Sequence, residues 1–324
     1  MKQVVSRSRV VAFSGGVGGA KLANGLANVV DGELLAIVVN TGDDFEHLGL
    51  TVCPDIDSVI YALAGKNDIE RGWGRAAETW HFMEALKELS RETWFQLGDR
   101  DLAMHVYRSW RLRQGAGLSA VTAETALSFK IRARILPMSD EPVRTLVHTD
   151  EGVLDFQHYF VARRAEPRVT NFEFAGSERA RPPPNAEELM HAQDLAAVVI
   201  CPSNPFVSIG PILAIDAWSR WLSAQSCPVI AVSPFVGRRA LKGPAAKMIR
   251  ELGKEPSTSE LVNIYGNLVG AWVVDVADSA DVAELEHKGI RCLATDTVMR
   301  NVGDQTRLAR AVLNFARSLG SRRA

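Results

Sequence analysis

The sequence predicts an α/β fold in which a Rossmann-like, doubly wound and mostly parallel sheet carries a smaller α+β insertion. Two observations support this prediction. Short apolar runs alternate with amphipathic stretches in both halves of the chain, which is the pattern of β-α-β units. The run 34–40 is apolar almost throughout, as expected of a strand that helices cover on both faces. We expect residues 1–130 and 190–324 to form the sheet domain and residues 131–189 to form the insertion.

The individual elements follow from the same periodicities. A first strand around Val10-Val11 leads into a glycine-rich turn and a helix. Further strands of the sheet are predicted at 34–40, 196–201, 229–233, 272–276 and 291–294. Further helices are predicted at 57–64, 78–90, 101–113, 119–129, 245–252, 279–288 and 305–319. The stretch 209–224 is expected to begin as a loop and end as a helix. In the insertion, strands are predicted at 132–137, 144–148 and 153–162, the last two joined as a hairpin, before a loop with three consecutive prolines.

The composition argues against several classes of protein. The 324 residues carry a formal net charge of −1, which gives no general attraction to nucleic acid. No apolar run approaches the roughly 20 residues that cross a bilayer, and the stretch after Arg7 and Arg9 is too short for the centre of a signal peptide. The four cysteines are far apart in the sequence, so neither a zinc site nor a disulfide framework is indicated. We expect a cytoplasmic protein that acts on small molecules, without a membrane or nucleic-acid partner.

The most informative segment is the run Phe13-Ser-Gly-Gly-Val-Gly-Gly-Ala-Lys21, in which a strand turns into a helix. The free N–H groups and positive dipole end of such a helix favour a phosphate, which can approach closely because glycines have no Cβ. The predicted phosphate-binding residues are Gly15, Gly16, Gly18, Gly19 and Lys21. The segment is not a Walker A loop, and Lys21 occupies the third glycine position of the dinucleotide fingerprint. The alternative is a tight turn that binds no ligand.

Polar segments follow the predicted strands, and the carboxyl ends of parallel strands meet at one edge of a sheet. These segments are Asn40-Thr41-Gly42-Asp43-Asp44, Pro54-Asp55-Ile56-Asp57, Pro202-Ser203-Asn204-Pro205 with Ser208, and Lys242-Gly243-Pro244. Carboxylates can hold a Mg²⁺ ion against a substrate phosphate, and one carboxylate can accept a proton from an attacking hydroxyl. The predicted metal ligands are Asp43, Asp44, Asp55 and Asp57. Adjacent carboxylates repel unless a cation relieves them, which favours function for Asp43 and Asp44, whereas helix capping is an equal alternative for Asp57.

Two other segments offer polar groups to a ligand. Ser203 and Asn204 lie between two prolines, and their surroundings do not form the turn of a serine nucleophile, so hydrogen bonding to a base or phosphate is the better interpretation. Arg100 is expected in the first turn of a helix, where the dipole disfavours a cation, which suggests that it meets an anion. Asp99 beside it is expected to cap that helix.

The predicted edge of the sheet supplies what phosphoryl transfer needs, namely positioning, a metal and cationic charge. It has no evident nucleophile for a covalent intermediate. A nicotinamide-dependent dehydrogenase is disfavoured by the broken fingerprint. It is also disfavoured by Asn40, which stands at the end of the second strand where an acidic ribose ligand is expected.

Eight motifs occur in order between about residues 10 and 300. They are Ser14-Gly-Gly-Val-Gly-Gly-Ala-Lys21, Asn40-Thr-Gly-Asp-Asp44, Pro54-Asp-Ile-Asp57, Leu97-Gly-Asp-Arg-Asp101, Ile135-Leu-Pro-Met-Ser-Asp140, Pro202-Ser-Asn-Pro205, Ser208-Ile-Gly-Pro211 and Lys242-Gly-Pro-Ala245. Together they resemble the CofD family, the 2-phospho-L-lactate transferases. The resemblance implies a Mg²⁺-dependent enzyme of coenzyme F420 biosynthesis that joins the deazaflavin Fo to a phosphorylated three-carbon acid. The donor would be a guanosine diphosphate conjugate of lactate, enolpyruvate or glycerate, and GMP would leave.

The resemblance also implies roles for particular residues. The glycine turn from Gly15 to Lys21 would hold the donor diphosphate, and Ser203, Asn204 and Ser208 would contact its guanosine diphosphate side. Asp43, Asp44, Asp55 and Asp57 would supply metal ligands and a base, and Arg100 would contact the acceptor or the transferred phosphate. The main alternative is a non-catalytic regulator of the YvcK type, which binds nucleotide sugars through a similar glycine turn. A homodimer is a further expectation.

Overall fold

The structure is a computed structural model that describes residues 8–320. Its strands are β1 (Arg9–Ser14), β2 (Leu35–Val39), β3 (Phe45–His47), β4 (Leu50–Val52), β5 (Arg134–Pro137), β6 (Arg144–Thr149), β7 (Gly152–Asp155), β8 (Val169–Ala175), β9 (Leu195–Ile200), β10 (Val229–Val232), β11 (Phe235–Val236), β12 (Arg239–Ala240), β13 (Ala271–Asp275) and β14 (Arg291–Thr295). Its α-helices are α1 (Gly16–Ala27), α2 (Pro54–Leu63), α3 (His81–Leu89), α4 (Asp99–Arg113), α5 (Leu118–Ser128), α6 (Glu187–Met190), α7 (Gly210–Ala214), α8 (Asp216–Ser223), α9 (Ala245–Glu251), α10 (Thr258–Tyr265), α11 (Ser279–His287) and α12 (Val302–Leu319).

Seven strands form one parallel sheet in the order β14-β13-β10-β9-β1-β2-β5. The chain builds outward from β1 in one direction through β2 and β5, and then in the other direction from β9 to β14. This is the doubly wound Rossmann order with one additional strand, so the predicted fold class is confirmed. The order reverses between β1 and β9, where Phe13 lies beside Ile200. The carboxyl ends of these two strands form the topological switch point, the usual place for a ligand in such sheets.

Successive side chains of β1 point to opposite faces of the sheet, and each face packs against its own layer of helices. Val10 and Ala12 pack into a core with apolar residues of α1, α2 and α12. Val11 and Phe13 pack into the opposite core, where Phe13 meets the edge of Trp218 at a centroid distance of 5.7 Å. Both cores include residues of β1 and β9, the two strands whose ends form the switch point.

The range 131–189 contains a three-stranded antiparallel sheet in the order β7-β6-β8. The predicted hairpin is present as β6 and β7, but residues 158–162 form a turn of π-helix instead of continuing the strand. The sequence analysis did not predict β8, which takes the other side of β6. The strand predicted at 132–137 belongs to the main sheet instead of the insertion, because β5 pairs in parallel with β2.

Several short elements were not predicted. These are the hairpins β3–β4 and β11–β12 and the helices α6 and α10. Strands of two or three residues are too short to show an alternating pattern. Within residues 8–320, no helix is long and apolar enough to cross a membrane.

Candidate active site at the switch point of the sheet

The glycine turn connects β1 directly to α1, as predicted, and packs against the loop that follows β9. The hydroxyl of Ser203 donates to the carbonyl of Gly15 at 2.8 Å, and the amide of Gly15 lies 3.3 Å from the same hydroxyl oxygen. Ser203 is buried. Its side chain therefore ties the two strand ends of the switch point together.

At three of the glycines, other atoms of the protein fill the space that a side chain would need. A Cβ on Gly18 would clash with the carbonyl oxygen of Pro202, and one on Gly19 would lie 2.5 Å from the Ser203 hydroxyl. A Cβ on Gly15 would lie 2.7 Å from the Cβ of Ser208. Gly16 has more space but a positive φ of 65°, which favours glycine. Close packing thus accounts for these glycines without a ligand, and phosphate binding stays a prediction.

Asp55 accepts a hydrogen bond from one of the free amides of α1. Its Oδ1 lies 2.6 Å from the nitrogen of Gly16. The first amides of a helix have no acceptor within the helix. The amide of Gly15 faces Ser203, and the amide of Gly16 donates to Asp55. The following two amides, of Val17 and Gly18, have no side-chain acceptor among the described residues. Asp55 therefore leaves part of the helix end open to an anion.

Asp43 and Asp55 form a buried pair that is bridged by Asn40. The Nδ2 of Asn40 lies 2.9 Å from an oxygen of each carboxylate. Burial and then the charge of Asp55 raise the pKa of Asp43 well above its usual range. Burial raises the pKa of Asp55 to about 6, although Asn40 and Gly16 donate to it. No Lys or Arg of the described chain lies within ion-pairing distance of either carboxylate.

Asp44 has a different partner, the thiol of Cys53. Burial raises the pKa of Asp44 to about 7, although the Cys53 thiol hydrogen bond and the charges of Arg144 and Arg108 oppose the rise. Its Oδ1 is buried and has no hydrogen-bond partner in the described structure. This carboxylate can accept a proton at neutral pH.

Asp57 is held in a different way, by a buried salt bridge to α4. Both terminal nitrogens of Arg108 donate to its two oxygens. Burial alone would lower the pKa of Arg108, but the charge and hydrogen bonds of Asp57 raise it above its usual value, so the guanidinium stays charged. His105 lies 3.7 Å from Asp57 on one side and 3.6 Å from Asp101 on the other. Neither Asp55 nor Asp57 caps its own helix α2, so the capping alternative is wrong.

The segment around Arg100 serves mainly to join α3 and α4. Asp99 accepts from the amides of His81 and Phe82 and therefore caps α3. The expectation that it would cap α4 is wrong. Glu78 accepts in turn from the amides of Arg100 and Asp101. The side chain of Arg100 is exposed, and the structure gives it no contact with the four aspartates.

Asn204 and Lys21 also have structural partners. The Oδ1 of Asn204 accepts from the amides of Phe206 and Val207 and so begins the π-helical turn Pro205–Ile209. Lys21 donates to the carbonyl of Met299 at 2.9 Å. Burial and the nearby positive charge of Lys242 lower the pKa of Lys21. Neither lysine has a carboxylate within ion-pairing distance in residues 8–320, so both can attract an anion.

The buried pair of Asp43 and Asp55 fits a Mg²⁺ ion better than the other carboxylates do. Two buried carboxylates without a cationic side chain repel each other, and a divalent cation would remove that repulsion. Asp57, Asp101 and His105 also have ligand atoms within 4.8 Å of one another. However, the guanidinium of Arg108 already neutralises Asp57 and lies 3.3 Å from His105.

The sequence analysis did not assign a site role to Asn40 or Arg108. Asn40 was noted in the polar segment after the second strand and as evidence against a dehydrogenase, but it was given no contact with the aspartates. Arg108 lies on a predicted helix 51 residues from Asp57, and nothing in the local sequence pairs the two.

The fold and this edge of the sheet define an α/β protein of the kind that binds its ligand at a topological switch point. Comparison with known proteins identifies the family. Residues 10–310 match the family described as 2-phospho-L-lactate transferase CofD, and the chain belongs to that family.

Relatives that are named as transferases align with nearly the whole chain. The 2-phospho-L-lactate transferase of Methanopyrus kandleri is 39% identical over 96% of this chain and 98% of its own length. The corresponding transferase of Methanosarcina mazei is 36% identical over 94% of this chain and 99% of its own length. The phosphoenolpyruvate transferase of Streptomyces griseus subsp. griseus is 38% identical over 95% of this chain and 98% of its own length. These names support an enzyme of the transferase class.

A solved structure confirms the architecture. A member of the UPF0052 family from Bacillus halodurans superposes with a TM-score of 0.63 over 95% of this chain and 99% of its own. At 14% identity, this similarity shows the fold alone.

Proposed function

We propose that this protein transfers a phosphorylated three-carbon acid from its guanosine diphosphate conjugate to the deazaflavin Fo, releasing GMP, in coenzyme F420 biosynthesis. The relatives named 2-phospho-L-lactate transferase and phosphoenolpyruvate transferase support this class of donor. The acid would be phospholactate or phosphoenolpyruvate, as in those names, or phosphoglycerate, the third acid that the family resemblance implies.

The observation that carries the proposal is the buried pair of Asp43 and Asp55 at the switch point. These carboxylates lie beside the N-terminus of α1 and have no cationic side chain among the described residues. Burying negative charge without a partner is costly. A ligand that brings a metal cation and a diphosphate would supply the missing positive charge and use the open amides of Val17 and Gly18.

The reaction we propose is a direct displacement. The terminal hydroxyl of the Fo side chain attacks the phosphorus nearer the acid, a new P–O bond forms, and the bond to the GMP oxygen breaks. The hydroxyl proton passes to a carboxylate, and we assign this role to Asp44 because its Oδ1 has no partner in residues 8–320. The reaction as proposed has no covalent enzyme intermediate, so we expect inversion at a chiral phosphorus.

Asp43 and Asp55 would hold the Mg²⁺ ion, with Asp57 as a further candidate whose oxygens already meet Arg108. The ion, when bound, would neutralise charge on the transferred phosphate. The chain's own residues orient the reactants. Ser203 and Ser208 shape the glycine turn on the nucleotide side, and Lys21 and Lys242 add positive charge there. Arg100, exposed on α4, would meet the acceptor or the transferred phosphate as it binds.

The test is a reconstituted reaction with mass spectrometry of the product. Purified protein is incubated with Fo, Mg²⁺, GTP, a guanylyltransferase and each of the three acids in turn. Transfer of one phosphorylated acid to Fo confirms the proposal and identifies the acid. No product with any acid, together with no change in Fo fluorescence on titration, would favour the nucleotide-sugar-binding regulator. A cytoplasmic location and a homodimer stay predictions, and light scattering on the purified protein tests the second.

A further inference from the structure

Asn40 stands at the end of β2 with its side-chain amide fully buried. Its Oδ1 accepts from the amide of Gly42 at 2.8 Å. This bond fixes which end of the carboxamide is oxygen, because an NH₂ group there would face another donor. The Nδ2 must therefore point toward the opposite side.

On that side, Nδ2 meets three acceptors. Oxygens of Asp43 and Asp55 lie at 2.9 Å, and the carbonyl of Val207 lies at 3.0 Å. An amide nitrogen has two hydrogens, so it cannot satisfy all three acceptors fully. The two carboxylate oxygens cannot be more than about 6 Å apart, twice the 2.9 Å of each bond. Oxygens that share one Mg²⁺ ion lie within about 4 Å of each other, because each bond to the ion is about 2.1 Å long. The observed bonds are compatible with that spacing.

The same amide connects the carboxylates to the rest of the switch point. Asp55 uses its other oxygen to accept from Gly16, at the start of α1. Val207 belongs to the turn Pro205–Ile209, in which Ser208 packs against Gly15. The side chain of Asn40 thus joins the end of β2, the turn after β9 and the start of α2, and it reaches the start of α1 through Asp55.

We propose that Asn40 is a positioning residue that holds Asp43 and Asp55 at the spacing needed to share one divalent cation. The inference rests on the metal site of the proposed function but not on the identity of the acid or acceptor. Asn40 donates to the ligand carboxylates and does not touch the reacting atoms. Hydrogen-bond partners of this kind typically change metal affinity by about 10- to 100-fold when they are removed.

The test measures binding of Mn²⁺, as a paramagnetic probe, from the electron paramagnetic resonance signal of the free ion. The variant Asn40→Leu keeps the approximate shape of the side chain and removes its donors, and we expect 10- to 100-fold weaker binding of Mn²⁺. The control is Asn24→Leu on α1, because Asn24 donates to Gln305 at 2.7 Å instead of to a carboxylate. Wild-type affinity is expected for the control. Wild-type affinity in a folded Asn40→Leu would overturn the proposal.

A second variant covers the case in which Asn40→Leu does not fold. Asn40→Ser has a smaller polar side chain that cannot donate to both carboxylates, so the pair loses the bridge that fixes its spacing. Mg²⁺ should therefore raise the melting temperature of this variant by less than it raises that of the wild type. An equal Mg²⁺ effect on both proteins would overturn the proposal.

The two proposals can fail separately. If the wild type makes product but binds Mn²⁺ no better than Asn40→Leu does, the positioning role is wrong and the transferase activity stands. If the wild type binds Mn²⁺ in an Asn40-dependent manner but makes no product with any acid, the proposed reaction is wrong and the positioning role stands.

Discussion

Two aspartates on the same helix, two residues apart, have opposite surroundings. Asp55 faces the glycine turn and Asn40, with no cationic side chain in the described chain at ion-pairing distance. Asp57 faces α4, where Arg108 contacts both of its oxygens. Both are about equally buried, at 4% exposure. The two aspartates therefore differ in whether a cationic side chain balances their negative charge, and not in their exposure to solvent.

The comparison shows how a buried carboxylate can serve either stability or binding. A compensated charge such as Asp57 fixes the position of α2 against α4, and removing its partner is costly. An uncompensated pair such as Asp43 and Asp55 lowers the stability of the protein, and a bound cation would remove that cost. Such a pair is the better place to look for a ligand.

The largest change in the free energy of unfolding should come from removing the salt bridge that neutralises Asp57. Arg108→Met leaves the charge of Asp57 buried and unpaired, so the free energy of unfolding should fall by about 3–5 kcal/mol. Urea denaturation followed by circular dichroism measures this. Adding Asp57→Leu to the same variant should restore much of the loss, since an apolar pair can replace a buried ion pair. A loss below about 1 kcal/mol in the single variant would mean that the salt bridge does not compensate Asp57.

Asp44, a third buried carboxylate that follows Asp43, should make the metal-free protein less stable as the pH rises. The pKa of Asp44 is raised from 3.8 to about 7, so folding favours its protonated form. This stabilisation is complete below pH 3.8 and is lost as the pH rises through 7. The rise in pKa corresponds to an upper limit of about 4 kcal/mol. Melting temperatures in EDTA between pH 4 and 8 should fall less steeply for Asp44→Asn than for the wild type, and parallel curves would contradict the assignment.

Removing one charge of the pair should stabilise the metal-free protein. Asp43→Asn can still accept from Asn40 while it ends the repulsion with Asp55, for a gain of about 1–3 kcal/mol near neutral pH. The same variant should lose the increase in melting temperature that Mg²⁺ gives the wild type. Differential scanning calorimetry with and without Mg²⁺ measures both effects. A destabilised variant that still responds to Mg²⁺ would place the cation elsewhere.

An exposed ion pair should show the smallest change in the free energy of unfolding. Asp216 and Arg220 are 2.6 Å apart on α8, but their side chains are 71% and 75% exposed. Asp216→Asn should therefore change the free energy of unfolding by less than about 0.5 kcal/mol, measured in the same urea titration. A larger effect would show that exposure does not separate the two kinds of carboxylate.

Local sequence was sufficient for much of the fold. The strand β1, the glycine turn and α1 were predicted because an apolar run, four glycines and a helical pattern are adjacent in the chain. The parallel sheet followed from alternating elements, and the edge that carries the candidate site followed from the polar segments after the strands. The strand β5 was assigned to the insertion because a strand's partner is set by the sheet and not by its own residues.

The sequence by itself therefore determined the fold class, the family and the edge of the sheet at which the polar residues meet. Only the tertiary structure decided which of those residues are compensated. Arg108 reaches Asp57 across 51 residues, and Asn40 reaches Val207 across 167. Periodicity and motifs report on neighbours within a few positions, whereas the charge state of a buried carboxylate depends on whichever distant side chain folding brings to it.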